Sequence, residues 1–262
     1  MLFAPFFAGL LAQAPGTWVV RAAPETPAVG DTLRVAMPTR LRTAAKVKGR
    51  GAPLLPGAVL TVLERGPEAF RGERQGSLLR VRASSGLEGW VFGPDLCAQP
   101  ITVDLDADGN PDTFVAAFDD AQHLWLRRVD PPVAVDLGLL IEVSPITTAA
   151  LDLLSAEAAG LPLLRVDRAS PDGGFHQLTL LSATPTAPLQ VALGWTSRIG
   201  GRASQEVELR LQPKKGGLVL LTTASTTRDE GDVREVITNQ RYTLQAGVFV
   251  PGEVSERVEV RR

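Results

Sequence analysis

From Thr32 onward the chain alternates short apolar runs with clusters of turn-forming residues. Leu33-Arg34-Val35, Leu55 to Leu63, Leu78-Leu79-Arg80-Val81-Arg82 and Gly89-Trp90-Val91-Phe92 predict closely spaced strands of a small β-barrel over residues 31–98. Ile101-Thr102-Val103, Thr113 to Phe118 and Leu124 to Val129 continue as strands, with Asp119-Asp120 as a turn and Pro131-Pro132 as a stop. Leu151, Leu154 and Ala158 fall at helical spacing, so Thr147 to Ala159 predicts one short helix closed by Gly160 and Pro162. Beyond it, Leu163 to Val166, Gln177 to Leu181, Leu189 to Trp195, Gln205 to Leu211, Leu218 to Thr223, Arg234 to Thr238, Tyr242 to Val250 and Val254 to Val260 read as strands. Pro171-Asp172-Gly173-Gly174 and Pro213-Lys214-Lys215-Gly216-Gly217 read as turns between them. The expected fold is mainly β: the small barrel, then a larger antiparallel β domain over 99–262, an incomplete propeller-like sheet or a sandwich, with at most one short helix.

The N-terminus has a different texture. Leu2 to Ala12 is apolar and leads into Ala12-Gln13-Ala14, an A-x-A of the kind that precedes signal peptidase cleavage, so residues 1–14 are read as a signal peptide, with a short uncleaved anchor or a buried first strand as alternatives. The run is shorter than the roughly 20 residues of a membrane-spanning helix, and no other segment approaches that length. Residues 15–30 mix Pro15, Gly16, Pro24, Pro27 and Gly30 and read as a linker in which Trp18-Val19-Val20 can add an edge strand. The expected address is the periplasm or the exterior.

Composition narrows the function classes. With 44% hydrophobic and 21% charged residues and a net charge of -2, the 262-residue chain is that of a globular protein without the basic field that nucleic acid or anionic lipid requires. Cys97 is the only cysteine, which excludes an internal disulfide and a thiolate metal site and leaves it as a small buried residue at a strand end. His123 and His176 are the only histidines and neither has zinc spacing. No G-x-S-x-G elbow or P-loop is present, and Glu142 with Asp152 is the one carboxylate pair imaginable for hydrolysis. These absences set an enzyme aside in favour of a binding or scaffold protein.

The strongest chemical signal is Asp104-Leu105-Asp106-Ala107-Asp108-Gly109-Asn110-Pro111-Asp112. Carboxylates at positions one, three, five and nine repel one another, and a hard divalent cation that prefers oxygen ligands is the simplest reason to gather them on one turn; the alternative is a solvated acidic turn. An EF-hand would place Glu at position twelve, where Val115 stands, and would flank the loop with helices rather than strands. The loop is similar to the β-hairpin calcium loops of FG-GAP and VCBS-type repeats. That resemblance implies a structural Ca2+ held by Asp104, Asp106, Asp108 and Asp112 through side chains and by Asn110 through its carbonyl.

A second resemblance covers about residues 31–98. Thr39-Arg40-Leu41-Arg42, Leu55 to Leu63, Leu79-Arg80-Val81-Arg82 and Gly86-Leu87-Glu88-Gly89-Trp90-Val91 with Leu96 resemble the layout of the bacterial SH3-like domain. It implies a small barrel and, in ligand-binding members, a groove for cell-wall peptide, to which Arg42 and Trp90 would contribute. Ser77-Leu78 stands where the family usually carries a Trp, so the aromatic groove is incomplete. Trp90 has two readings, a ligand platform or a core anchor. The basic run Arg40, Arg42, Lys46, Lys48 and Arg50 reads as a solvated loop, or more sharply as a contact for an anionic glycan or peptide. The expectation is an exported, non-enzymatic binding or scaffold protein of the bacterial cell envelope with a structural calcium ion. A peptidoglycan-binding module and an envelope hydrolase with an unrecognised site are the alternatives, and peptidoglycan or an envelope protein is the expected partner.

Overall fold

The computed structural model describes residues 17–21, 27–72, 74–139, 148–169, 175–184, 187–198, 203–212, 218–229 and 232–261. The apolar N-terminal segment 1–14 and the turn signals at 171–174 and 213–217 lie outside the described residues. The fold is mainly β, as expected; among the described residues every strand pairing is antiparallel and no sheet closes into a barrel. No helix among the described residues is long and apolar enough to cross a membrane.

The chain opens with β1 (Thr17–Arg21), inside the stretch expected as a linker. It then builds a small unit from β2 (Thr32–Val35), β3 (Thr39–Leu41), β4 (Ala52–Leu54), β5 (Val59–Arg71), β6 (Arg74–Ala83), β7 (Glu88–Phe92) and β8 (Leu96–Cys97). One sheet runs β7-β6-β5-β2-β8, and β3 and β4 form a separate hairpin. Leu33, Val35, Leu41, Leu60, Val62, Leu79, Val81 and Val91 pack its core, each contributing about 1.5–3 kcal/mol by leaving water. The expected barrel stays open for a local reason. β3 is three residues long and reaches β7 through a single bridge, Arg42 with Trp90, whose amides and carbonyls exchange bonds of 3.0 and 2.7 Å.

The larger part is a sandwich. Its first sheet is β9 (Ile101–Val103), β10 (Asp112–Phe118), β11 (His123–Arg128) and β12 (Val133–Leu139), in the order β12-β11-β10-β9. The facing sheet is β13 (Thr148–Leu154), β14 (Leu163–Ala169), β15 (Phe175–Thr184) and β16 (Ala187–Arg198), with β1 added at its edge beside β13. Phe114, Ala116, Phe118, Leu124 and Leu126 from one sheet meet Ala149, Leu151, Leu164, Val166 and Leu181 from the other. The helix expected over Thr147 to Ala159 is mostly strand: β13 occupies 148–154 and only Ala156–Ala159 turns helical, as α1. Pairing decides this. Ala149 and Leu151 are fully buried at a period of two, and β13 is bonded on both sides, to β1 and to β14, which a helix could not be.

The chain ends in a meander, β17 (Ala203–Gln212), β18 (Leu218–Asp229), β19 (Asp232–Gln245) and β20 (Val248–Arg261), paired in that order. The two strands expected at 234–238 and 242–250 are instead parts of one hairpin. Its turn falls at Ala246-Gly247, both with positive φ (49° and 81°), and Pro251 is accommodated because β20 is an edge strand.

β10 is buried on both faces. Phe114, Ala116 and Phe118 enter the sandwich, while Val115 and Ala117 pack with Ala36 and Met37 of the small unit. This is why 114–118 is a continuous apolar run rather than an alternating one. The junction is then tied by charge. Arg74, 2% exposed, spends all five donors: Nε on Asp120 at 2.9 Å, one terminal nitrogen on the Pro94 and Phe118 carbonyls at 3.1 and 2.7 Å, the other on Asp95 at 2.8 Å and Asp120 at 2.5 Å. Arg71 also binds Asp95 and Asp120, and both guanidiniums lie over the Phe92 ring, 4.9 and 5.4 Å from its centroid. Gly72 sits between the two arginines at φ +59°, where a Cβ would come 2.8 Å from the Asp120 carbonyl oxygen.

Arg74→Met strips Asp95, which is fully buried, of one of its two cations. It lowers unfolding free energy by about 3–5 kcal/mol in urea titrations, whereas Arg80→Met on the exposed face changes it by less than about 1 kcal/mol. Burial raises the Asp120 carboxyl, but hydrogen bonds and charge from Arg71 and Arg74 outweigh it and hold the group below the ordinary Asp value. A depressed folded pKa gives stability that is present above the unfolded value and is lost as pH falls through the folded one. Denaturant midpoints measured from pH 6 down to pH 3 therefore fall more steeply for the native chain than for Asp120→Asn.

Candidate metal loop

The acidic loop joins β9 to β10, and its frame is set by one apolar residue. Leu105 is fully buried in the sandwich core, which pins the loop, with Asp104 half-buried on one side and Asp106 buried on the other. Ala107 (φ 58°) and Gly109 (φ 88°) take left-handed conformations, which for alanine costs about 1–2 kcal/mol. That backbone aims amides at the carboxylates: Asp108 N–H donates to Asp104 Oδ1 (3.1 Å) and Asp106 Oδ1 (3.3 Å), Gly109 N–H to Asp104 Oδ2 (3.0 Å) and Asn110 N–H to Asp108 Oδ1 (2.7 Å).

Asp104, Asp106 and Asp108 are brought together, each with a carboxylate oxygen within 4.8 Å of the others. At that separation each pair of charges repels by about 1 kcal/mol in water and roughly 3–4 kcal/mol at an effective dielectric near 20. Asp112 is turned elsewhere. It is 5% exposed, accepts the Leu105 N–H at 3.2 Å and is ion-paired with Arg128, whose same nitrogen reaches Asp106 Oδ2 at 2.9 Å. Burial is the main influence on the Asp112 carboxyl and pushes it above the ordinary Asp value, with the Leu105 amide and Arg128 offsetting only part. Asn110 is exposed at the tip, and Val115 is fully buried on the far side of β10, in the junction with the small unit.

Arg128 is the residue the pattern of acidic side chains did not reveal. It lies opposite Phe114 in the β10–β11 ladder and shares a face with Leu124 and Leu126, both fully buried. A period-two reading of Leu124 to Arg128 places a guanidinium at the rim of an apolar face, where it needs a carboxylate; that was the available signal. The same logic applies to Arg168, 1% exposed after Leu164 and Val166 on β14. Burial lowers its pKa to about 10, and it donates to the Leu137 carbonyl and Gln177. The Arg71, Arg74, Asp95 and Asp120 cluster left no comparable trace, because its members come from three separate connections.

Arg42 and Trp90, the residues expected to bind a ligand in the small unit, are joined by a backbone bridge. Arg42 is 8% exposed and donates to the Arg40 carbonyl at 3.0 Å, with burial lowering its pKa, while Lys46, Lys48 and Arg50 of the basic run are exposed. Trp90 is half-buried, with its ring laid against Gly66 so closely that a Cβ there would overlap it. His123 pairs with Asp136 (2.7 Å) and His176 with Asp167 (3.4 Å); Asp152 sits on β13 and Glu142 lies outside the described residues.

Arg128→Met leaves Asp112 buried and unpaired beside Asp106. Unfolding free energy in chelator falls by about 3–5 kcal/mol in denaturant titrations, and Arg128→Met/Asp112→Asn recovers more than half of the loss.

No family model, curated protein or solved structure matches this chain.

Proposed function

We propose that this chain is a non-enzymatic binding or scaffold protein of the bacterial cell envelope whose acidic loop takes one calcium ion as a structural clamp. The observation that carries the calcium reading is the convergence of Asp104, Asp106 and Asp108 within 4.8 Å on a loop anchored at both ends. Such a group supplies the hard oxygen donors that Ca2+ takes, at a spacing its roughly 2.3–2.6 Å bonds can bridge with small side-chain adjustments. Arg128 occupies Asp112 and part of Asp106, so the ion would rest on three carboxylates, the nearby loop carbonyls and water, a donor set suited to the millimolar calcium of an extracellular compartment.

The envelope address rests on the apolar Met1–Ala14 segment ending in Ala12-Gln13-Ala14. The scaffold reading rests on architecture: strand-rich units joined by a dry junction and ionic ties, with the two histidines each engaged by a neighbouring aspartate. The burial of Arg42 and the packing of Trp90 on Gly66 weigh against a peptide groove at those residues, so the SH3-like unit is proposed as a structural partner of the sandwich.

Scanning calorimetry in calcium and in chelator tests the clamp. At calcium concentrations about 100 times Kd the ion adds about 2.7 kcal/mol, a melting shift of roughly 5–10 °C for a chain of this size. Asp104→Asn and Asp108→Asn each remove most of the shift, because both groups belong to the ligand set and neither contacts Arg128. Superimposable melts, with no heat of calcium binding by titration calorimetry, contradict the proposal.

A further inference from the structure

β20 is the outer strand of the terminal sheet, with β19 on one side and no strand on the other among the described residues. Its base is fixed: Ser182 Oγ donates to the Gly247 carbonyl at 2.6 Å, and Phe249 is buried against Leu163, Leu180 and Leu193. Beyond Pro251 the strand stands clear of the sandwich, and residues 251–258 are all exposed. One face of this stretch carries Val254, Glu256, Val258 and Val260, all exposed, the valines by 58%, 45% and 57%. The other carries Arg257 and Glu259, joined at 2.6 Å. A long strand with a free edge and apolar side chains is a template for another strand, because its outward N–H and C=O groups and its valines are satisfied together by a partner.

We propose that this edge is occupied by β20 of a second copy of the chain, paired antiparallel about a two-fold axis at Val258, so that two four-stranded sheets merge into one continuous sheet. The order of charges selects both partner and register. A two-fold axis perpendicular to a sheet keeps every side chain on its own face, so the axis must pass through a residue position. At Glu256, Arg257 or Glu259 it would stack like charges on each other. At Val254 or Ser255 the ladder would run across Pro251, which has no N–H to give. At Val260 each Val258 would face Arg262 rather than another valine. At Val258 the two valines meet on the axis, each flanked diagonally by the partner's Glu256 and Val260, which face one another, while Arg257 faces the partner's Glu259 twice over. The strand is thus complementary to itself about Val258, which is the requirement for a closed, isologous dimer.

Sedimentation velocity of the full chain tests this. A reversible monomer–dimer equilibrium is expected, with a limiting mass twice the 27.9 kDa of the chain. Val258→Lys places two ammonium groups on the axis and gives a monomer with an unchanged melting temperature. Arg257→Glu weakens association by at least about tenfold, and the double exchange Arg257→Glu/Glu259→Arg restores it, since cross-strand opposition is re-created with signs reversed. In a Cys97→Ser background, Val258→Cys forms an intermolecular disulfide under mild oxidation, a readout independent of how well the charged variants fold. A chain that stays monomeric at every concentration, open-ended polymers, or a dimer indifferent to both Val258→Lys and Arg257→Glu would overturn the assignment.

Discussion

The constraint on which the molecule depends is that β10 must be dry on both faces. Its sandwich face, Phe114, Ala116 and Phe118, completes one core, and its other face, Val115 and Ala117, completes a second against Ala36 and Met37. A strand in that position cannot carry charge along its length, so its charges are pushed to its ends. The acidic loop 104–112 precedes it and Asp119-Asp120 follows it. Each end is met by arginine: Arg128 at the entrance, Arg71 and Arg74 at the exit. The two ionic clusters are therefore consequences of one packing decision. They close the ends of a two-sided core where polar backbone would otherwise meet apolar side chains.

The entrance and the exit are not equivalent. At the exit, Asp95 and Asp120 face Arg71 and Arg74, and Asp119 adds hydrogen bonds to the Ala121 and His123 amides and to the Trp125 indole, so that turn is complete from protein groups alone. At the entrance, Arg128 answers Asp106 and Asp112 but leaves Asp104 and Asp108 to backbone amides. Negative charge remains in excess at one end of the central strand, and that excess is the physical basis for the calcium proposal.

Much of this architecture is legible in the sequence. Alternating or unbroken apolar runs marked most strands, though not the short β4 and β8 or β12 after Pro131-Pro132, because strand register is written in side-chain period, and the Asp-x-Asp-x-Asp-Gly spacing marked a turn that does gather three carboxylates. Two kinds of feature were not readable. Thr147 to Ala159 satisfied a helical spacing and a strand alternation at once, and only the presence of β1 and β14 on either side decides for the strand. The partners of charged residues were hidden for a related reason. Arg74 and Asp120, or Arg128 and Asp112, are brought together by the fold rather than by sequence separation, so Asp112 looked like a fourth ligand until its cation was placed. Arg42 and Trp90 read as a groove because their residue types suit one, and the backbone bridge that joins them between β3 and β7 was not legible in the sequence.

The proposed calcium clamp depends on whether the excess negative charge at the entrance of β10 recruits an ion. A crystal structure of the full chain grown in millimolar calcium measures this most directly. The account predicts one ion with oxygens of Asp104, Asp106 and Asp108 at about 2.3–2.6 Å, Arg128 still on Asp112, and Val115 outside the shell. A loop holding only water under those conditions, or an ion that displaces Arg128 to bind Asp112 without Asp104 and Asp108, would contradict it.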